Sequence, residues 1–141
     1  MPDITQLIEH DHREVGTLFQ NFKETGDSAL ASKICDELDA HAGAEEKTFY
    51  PVVRDELPEG TKLASEAEDE HGEARQLIGR IRRTSDPEHV RELVNELEQV
   101  VRHHVDEEES EMLPRARSTL GEARLVEIGG EFESAKARAQ G

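Results

Sequence analysis

Two stretches of the sequence decide the fold: His41-Ala-Gly-Ala-Glu-Glu-Lys-Thr-Phe-Tyr-Pro51 and His104-Val-Asp-Glu-Glu-Glu-Ser-Glu-Met-Leu-Pro114. In both, two glutamates stand four and five residues after a histidine, and a proline follows that histidine by ten residues. Positions four apart lie on the same face of an α-helix. Each stretch therefore predicts a helix with a histidine and a glutamate on one side, and their repetition predicts two related helical hairpins.

A shorter repeat precedes each stretch. Residues 11–14 read Asp-His-Arg-Glu and residues 70–73 read Glu-His-Gly-Glu, so an acid, a histidine and a glutamate share the same spacing. Together the repeats predict four helices that each bring one histidine toward a common axis.

The apolar residues recur every three or four positions in four long segments, as in helices that bury one face. These segments cover about residues 4–22, 30–49, 63–81 and 90–105, with Gly- or Pro-containing breaks at 25–28, 57–61 and 85–88. No stretch alternates apolar and polar residues over a strand's length. We predict an all-α domain over residues 1–141: an antiparallel up-down-up-down four-helix bundle over about 3–116, with a short extra C-terminal helix over about 122–139.

The composition narrows the class of partner. The chain has 33 acidic and 17 basic residues, a net charge of −16, which would repel a nucleic acid or an anionic membrane surface. No apolar run approaches the roughly 20 residues of a membrane span, and no secretory leader opens the chain. The single Cys35 fits a reducing compartment. We expect a cytoplasmic protein without nucleic-acid or membrane partners, and a monomer, because a chain with 35% charged residues shows no obvious apolar docking surface.

Six polar residues keep step with the apolar positions and are predicted to face the interior: His12, His41, Glu45, His71, His104 and Glu108. Buried carboxylates without a cation would take up protons or destabilise the fold by several kcal/mol. A pair of metal ions removes this conflict, since it supplies positive charge to the carboxylates and accepts an electron pair from each imidazole. His10 and His89 are predicted to face solvent, and His103 to lie at the core boundary or beside a ligand.

With these residues the sequence resembles the hemerythrin-like, or HHE cation-binding, family of di-iron four-helix bundles. The likeness covers about residues 3–116, and its motifs are Asp11-His12, His41-x-x-x-Glu45-Glu46 with Phe49-Tyr50-Pro51, Glu70-His71, and His104-x-x-x-Glu108-Glu109 with Leu113-Pro114. The resemblance implies two non-haem iron ions, oxo- or hydroxo-bridged, held by the four histidines and bridged by Glu45 and Glu108. The ligand types suit iron, with manganese and zinc as open alternatives.

One position departs from the oxygen-carrying members. They have a fifth histidine one turn after the third-helix histidine, where this chain has Arg75. The Arg75 charge is expected to turn away and pair with an acid, which leaves a coordination position more open or differently filled. Tyr50 is a further candidate as a ligand or a neighbour of the ligands. On a straight helix, however, it would face roughly the opposite side from His41.

A ferritin-like arrangement of ligands is the structural alternative. Glu9-x-x-His12 and Glu68-x-x-His71 match the Glu-x-x-His pairs of ferritin-like di-iron bundles. That scheme leaves His41 and His104 buried without a role, so we prefer the hemerythrin-like scheme, which uses all four histidines.

The resulting functional hypothesis is a di-iron protein that binds or turns over a small oxidant: hydrogen peroxide, oxygen or nitric oxide. The missing fifth histidine favours catalase-like breakdown of peroxide over oxygen carriage. The enzymatic hypothesis also includes reduction of peroxide or nitric oxide. The alternative is a non-catalytic module that senses oxygen or iron, or binds iron, and no cofactor beyond the metal is predicted.

Overall fold

The computed structural model describes residues 1–140. Helices account for nearly all of this range, and it contains no strand. The helices are α1 (Ile4–Thr25), α2 (Ser28–Ala44), α3 (Tyr50–Glu56), α4 (Gly60–Arg82), α5 (Pro87–Glu107), α6 (Leu113–Thr119) and α7 (Glu122–Gln140). The predicted all-α class is confirmed, and α7 lies where the extra C-terminal helix was predicted.

Two five-residue π-helical turns join α2 to α3 and α5 to α6. They are π1 (Glu45–Phe49) and π2 (Glu108–Met112), and each begins at a predicted ligand glutamate. The backbone N–H of Tyr50 donates to the Glu45 carbonyl, and that of Leu113 donates to the Glu108 carbonyl, so both bonds span five residues. A proline follows each of these donors, and proline has no N–H for the α-helical ladder. The prolines of the sequence repeat therefore stand directly after the two π turns.

Short polar residues begin three of the long helices, α1, α2 and α5. Asp3, Asp27 and Asp86 each accept a hydrogen bond from a backbone N–H of the following first turn. At the other end of α1, Gly26 adopts φ 67°, the left-handed conformation that ends many helices. These signals explain why the predicted breaks separate the helices in the structure.

The helices pack as a bundle in which α1 contacts α2 and α5, and α4 contacts the same two helices. One core cluster lies around the π turns and α7 and includes Ile4, Ile8, Phe49, Tyr50, Val53, Leu113, Ile128 and Phe132. The other lies beyond the histidines and includes Val15, Phe19, Phe22, Ile34, Leu77, Ile81, Leu93 and Leu97. Within residues 1–140, no helix is both long and apolar enough to cross a membrane.

Candidate metal centre

The structure brings all six predicted interior residues together between the two core clusters. Their side chains are buried or nearly so, and each comes from a different element. They are His12 from α1, His41 from α2, Glu45 from π1, His71 from α4, His104 from α5 and Glu108 from π2.

The candidate ligand atoms form two adjoining groups. One group, here called subsite A, consists of His12, His41, Glu45 and Glu108. The other, subsite B, consists of Glu45, His71 and His104. Within each group the candidate atoms lie within 4.8 Å of one another. Because Glu45 belongs to both, two cations held there would share a carboxylate.

Subsite A contains buried polar atoms to which a cation could bind. His12 Nε2, His41 Nε2, Glu45 Oε2 and Glu108 Oε1 are buried and have no hydrogen-bond partner among residues 1–140. His12 Nε2 lies 3.1 Å from Glu108 Oε1, but without hydrogen-bond geometry. Leaving buried polar atoms without partners destabilises a fold by about 1–3 kcal/mol per atom. All four atoms can donate an electron pair, so this set of residues fits a metal ion.

Each of the four histidines is oriented by a carboxylate at its other ring nitrogen. The Nδ1 contacts are His12 to Glu109 at 2.6 Å, and His41 to Asp11, His71 to Glu46 and His104 to Glu70, each at 2.7 Å. An ionised carboxylate can only accept, so Nδ1 carries the hydrogen. The lone pair on each Nε2 is therefore directed at the centre, as a metal ligand requires.

The orienting role of these four carboxylates was not predicted from the sequence. The sequence does contain a signal for this role, because each of the four carboxylate residues is the direct neighbour of a candidate ligand in the chain. Asp11 and Glu70 directly precede His12 and His71, and Glu46 and Glu109 directly follow Glu45 and Glu108.

Two of the orienting carboxylates bind a permanent cation. Lys136 of α7 lies 2.8 Å from both oxygens of Asp11. Arg75 donates to both oxygens of Glu46 at 2.9 Å. Arg75 therefore turns toward an acid at the edge of the bundle, as expected from the sequence.

The Tyr50 hydroxyl lies inside subsite B. It is 2.6 Å from Glu108 Oε2, 3.1 Å from Glu45 Oε1, and 3.3 and 3.4 Å from the Nε2 atoms of His71 and His104. The straight-helix expectation for Tyr50 is therefore wrong. The cause is π1, because a π turn contains more residues than an α turn and changes the direction of every later side chain.

Without a metal, the centre holds protons instead. Burial opposes protonation of His41, but the Glu45 and Asp11 carboxylates outweigh it and raise the pKa of His41 to about 10. For His71, burial is likewise outweighed by Glu45 and Glu46, which raise its pKa to about 9. Burial, with the nearby Glu108 and Glu45, raises the pKa of Tyr50 well above its usual value. Protons and a cation thus compete for the same buried carboxylates.

The remaining histidines lie outside the centre. His10 and His89 are exposed, as predicted. His103 is 67% exposed in its side chain, and its Nε2 lies 3.4 Å from Glu70, the carboxylate that orients His104. The predicted position at the core boundary is therefore wrong: His103 is exposed and lies beside the carboxylate that orients His104.

The positions of Glu9 and Glu68, the glutamates of the two Glu-x-x-His pairs, do not support the ferritin-like scheme. Glu68 accepts a hydrogen bond from Arg54 at 2.6 Å. Neither Glu9 nor Glu68 belongs to a ligand group formed within the described part of the chain.

A cavity of about 40 Å³ adjoins the four histidines. Its walls are largely apolar and include Val15, Leu38, Ala74, Ile78, Val100 and Val101. A space of this size beside the candidate ligands admits a molecule of a few atoms.

Comparisons with known proteins agree with this geometry. The family model described as hemerythrin HHE cation binding domain matches residues 3–116. The chain is 32% identical to a DNA nickase of Nostoc sp. (strain PCC 7120), over 98% of this chain and 40% of the nickase. It is 26% identical to an uncharacterised hemerythrin-like protein of Schizosaccharomyces pombe, over 96% of this chain and 70% of that protein. The chain thus spans less than half the length of the nickase.

No solved structure matches the chain significantly. The family match nevertheless covers most of the sequence, including every candidate ligand. The chain belongs to the hemerythrin HHE cation-binding domain family.

Proposed function

We propose that this chain is a non-haem di-iron protein that binds or turns over a small oxidant: hydrogen peroxide, oxygen or nitric oxide. The observation that carries the proposal is the pair of buried ligand groups that share Glu45. Histidine with carboxylate suits iron, and two adjoining ions can act together on one small molecule. The proposed ligands are His12, His41, Glu45, His71, His104 and Glu108.

Two iron ions, when bound, would supply reversible electron transfer to the oxidant. The side chains of the protein prepare the centre for this chemistry. The orienting carboxylates hold the imidazoles in one tautomer and one direction, which lowers the cost of assembling the site. The apolar walls of the cavity keep bulk water away from the centre and leave space for a small molecule.

Tyr50 is proposed as a ligand at subsite B. An ion at subsite B would be held by the Nε2 atoms of His71 and His104 and by Glu45. The Tyr50 hydroxyl is only 3.3 and 3.4 Å from those Nε2 atoms, so it is placed to join them as an oxygen ligand. Tyr50 would then supply a phenol oxygen at the subsite where the chain lacks a fifth histidine.

Breakdown of hydrogen peroxide is the reaction that we propose first. The support for it is the four-histidine set, which lacks the extra nitrogen ligand of oxygen carriers. The test measures iron per chain, the near-ultraviolet oxo-to-iron band, and oxygen evolved from added peroxide. We expect two irons per chain and evolution that continues for many equivalents, with His10→Ala equal to the parent and His41→Ala inactive. Evolution that stops within one equivalent would contradict catalysis.

The second candidate function is a non-catalytic module that senses oxygen or iron for another protein or domain. It is favoured by the relative from Nostoc, in which the matched region is only 40% of a longer chain. A sensor would bind its ligand once per centre, whereas a catalyst consumes it repeatedly.

Several further features complete the proposal. Short connections support an antiparallel up-down-up-down order of four helices within one domain over 1–141.

The net charge of −16 supports a protein that does not bind nucleic acid. A monomer is supported because Met1 is the one large apolar residue that is exposed among residues 1–140. A lone, buried Cys35 supports a reducing compartment such as the cytoplasm.

A further inference from the structure

Gly16 lies in the middle of α1, one turn after His12, where its surroundings do not require glycine. Apart from its own helix turn, no atom of the described chain lies within 4 Å of a Cβ built at this position. Glycine is also the poorest helix former after proline. Neither close packing nor helix formation explains the residue.

The space beside Gly16 is a cleft of about 130 Å³ between α1 and α5. Four residues line both this cleft and the cavity beside the histidines: His12, Val15, Val101 and Val105. Their side chains therefore form the partition between the outside of the bundle and the candidate metal centre.

The equivalent gap in the second repeat is bridged. Arg75 is the counterpart of Gly16, one turn after His71, and it binds both oxygens of Glu46 at 2.9 Å. Further along, both gaps are bridged: Arg82 binds Asp36 and Asp39 between α2 and α4, and Lys23 lies 2.6 Å from Glu98 between α1 and α5. At position 16, by contrast, there is no side chain to span the gap.

We propose that Gly16 keeps open the entrance through which a small uncharged oxidant reaches subsite A, an inference that rests on the proposed function. A side chain at position 16 would lean over the preceding helical turn, toward His12, and cover the cleft. The valines of the partition admit uncharged molecules more readily than hydrated ions, because ions lose hydration among apolar groups. Gly16 thus controls the rate of entry of the ligand and leaves its affinity unchanged.

The first test uses nitric oxide as the probe and iron-loaded protein. Gly16→Leu should lower the association rate constant at least tenfold, and Gly16→Ala should lie between it and the parent. The dissociation constant should stay within about twofold, because a blocked entrance slows exit equally. Gly130→Leu in α7 is the matched control, since its Cβ also meets no atom within 4 Å among the described residues, and it should change neither constant. An unchanged association rate in Gly16→Leu would overturn the proposal.

The second test needs no metal. Tyr50 is the only tyrosine and the chain has no tryptophan, so intrinsic fluorescence reports on the centre itself. Quenching of this fluorescence by dissolved oxygen, in the 141-residue chain without added metal, should fall several-fold in Gly16→Leu and not in Gly130→Leu. Equal quenching in Gly16→Leu and the parent would also overturn the proposal. Reduced quenching in Gly16→Leu, together with failure of the parent to bind iron when iron is supplied, would support the entrance and refute the di-iron function.

Discussion

Subsites A and B are built from the same kinds of ligand but differ in the residues around them. Both use two histidines, each oriented by a carboxylate, and both use Glu45. One turn after the first histidine, A has Gly16 where B has Arg75. Nine residues after the second-helix histidine, the first repeat places Tyr50 in subsite B, whereas the second repeat places Leu113 in the core. A duplicated hairpin thus determines the candidate ligands, and neighbouring residues distinguish the two subsites.

Removing the shared carboxylate should abolish both subsites and have the largest effect. Glu45→Ala is expected to lower bound iron below one per chain and to lower the melting temperature, because metal binding is coupled to folding. Metal analysis and thermal unfolding measure the two effects. His10→Ala and His89→Ala change exposed histidines and should keep the parent's iron content. Two irons in Glu45→Ala would refute its assignment to both subsites.

Removing the metal should make stability depend on pH. The pKa values of His41 and His71 in the metal-free protein, about 10 and about 9, exceed the usual 6.5. Their stabilising contribution is complete below pH 6.5 and is lost as the pH rises through 9 and then 10, by about a few kcal/mol. Urea unfolding at a series of pH values from 7 to 10.5 measures the loss, with His71 losing its proton before His41. In the metal-loaded protein the ion replaces these protons, so its stability should change less over the same pH range. An equal loss of stability in the metal-loaded and the metal-free protein would contradict this replacement.

Replacing the phenol should weaken subsite B more than subsite A. Tyr50→Phe keeps the ring but removes the hydroxyl, so bound iron should fall from two toward one, and any visible phenolate-to-iron absorption should disappear. Leu113→Met, at the equivalent position of the second repeat, is the control and should retain two irons. Retention of the visible band in Tyr50→Phe would exclude Tyr50 as its source.

Removing the cation behind Asp11 should weaken subsite A by a smaller factor. Burial raises the pKa of Asp11, but His41 and Lys136 outweigh it and keep that pKa low. In Lys136→Met, we expect roughly tenfold weaker binding of cobalt(II) at one of two resolved steps, as for other changes behind a metal ligand. Arg138→Met, on an exposed position of the same helix, should leave both steps unchanged. Equal weakening of both steps would contradict a role confined to A.

The sequence predicts the helices and the six candidate ligands because the evidence for them is local and repeated. His41 and Glu45, for example, keep step with the apolar residues before them, and the second stretch repeats their spacing. The direction of Tyr50 could not be predicted by counting residues on a straight helix. The contact of Lys136 with Asp11 joins residues 125 apart, so it depends on where α7 crosses α1 and α2.

Because of the π turns, the number of residues between His41 and Tyr50 also determines which side chains reach the metal centre, whatever the chemistry of the residues in between. Deleting one residue from π1 would restore the α-helical hydrogen-bond pattern between α2 and α3. Every later side chain of this stretch would then rotate by about 100° relative to His41. Lys47 in π1 and Ser110 in π2 point to solvent, where substitutions are tolerated. Deleting Lys47, by contrast, would turn Tyr50 away from subsite B. At these two positions the presence of a residue therefore matters more than the identity of its side chain. In homologous chains, a single-residue deletion at the position of Lys47 would turn the aromatic residue that follows away from the metal centre.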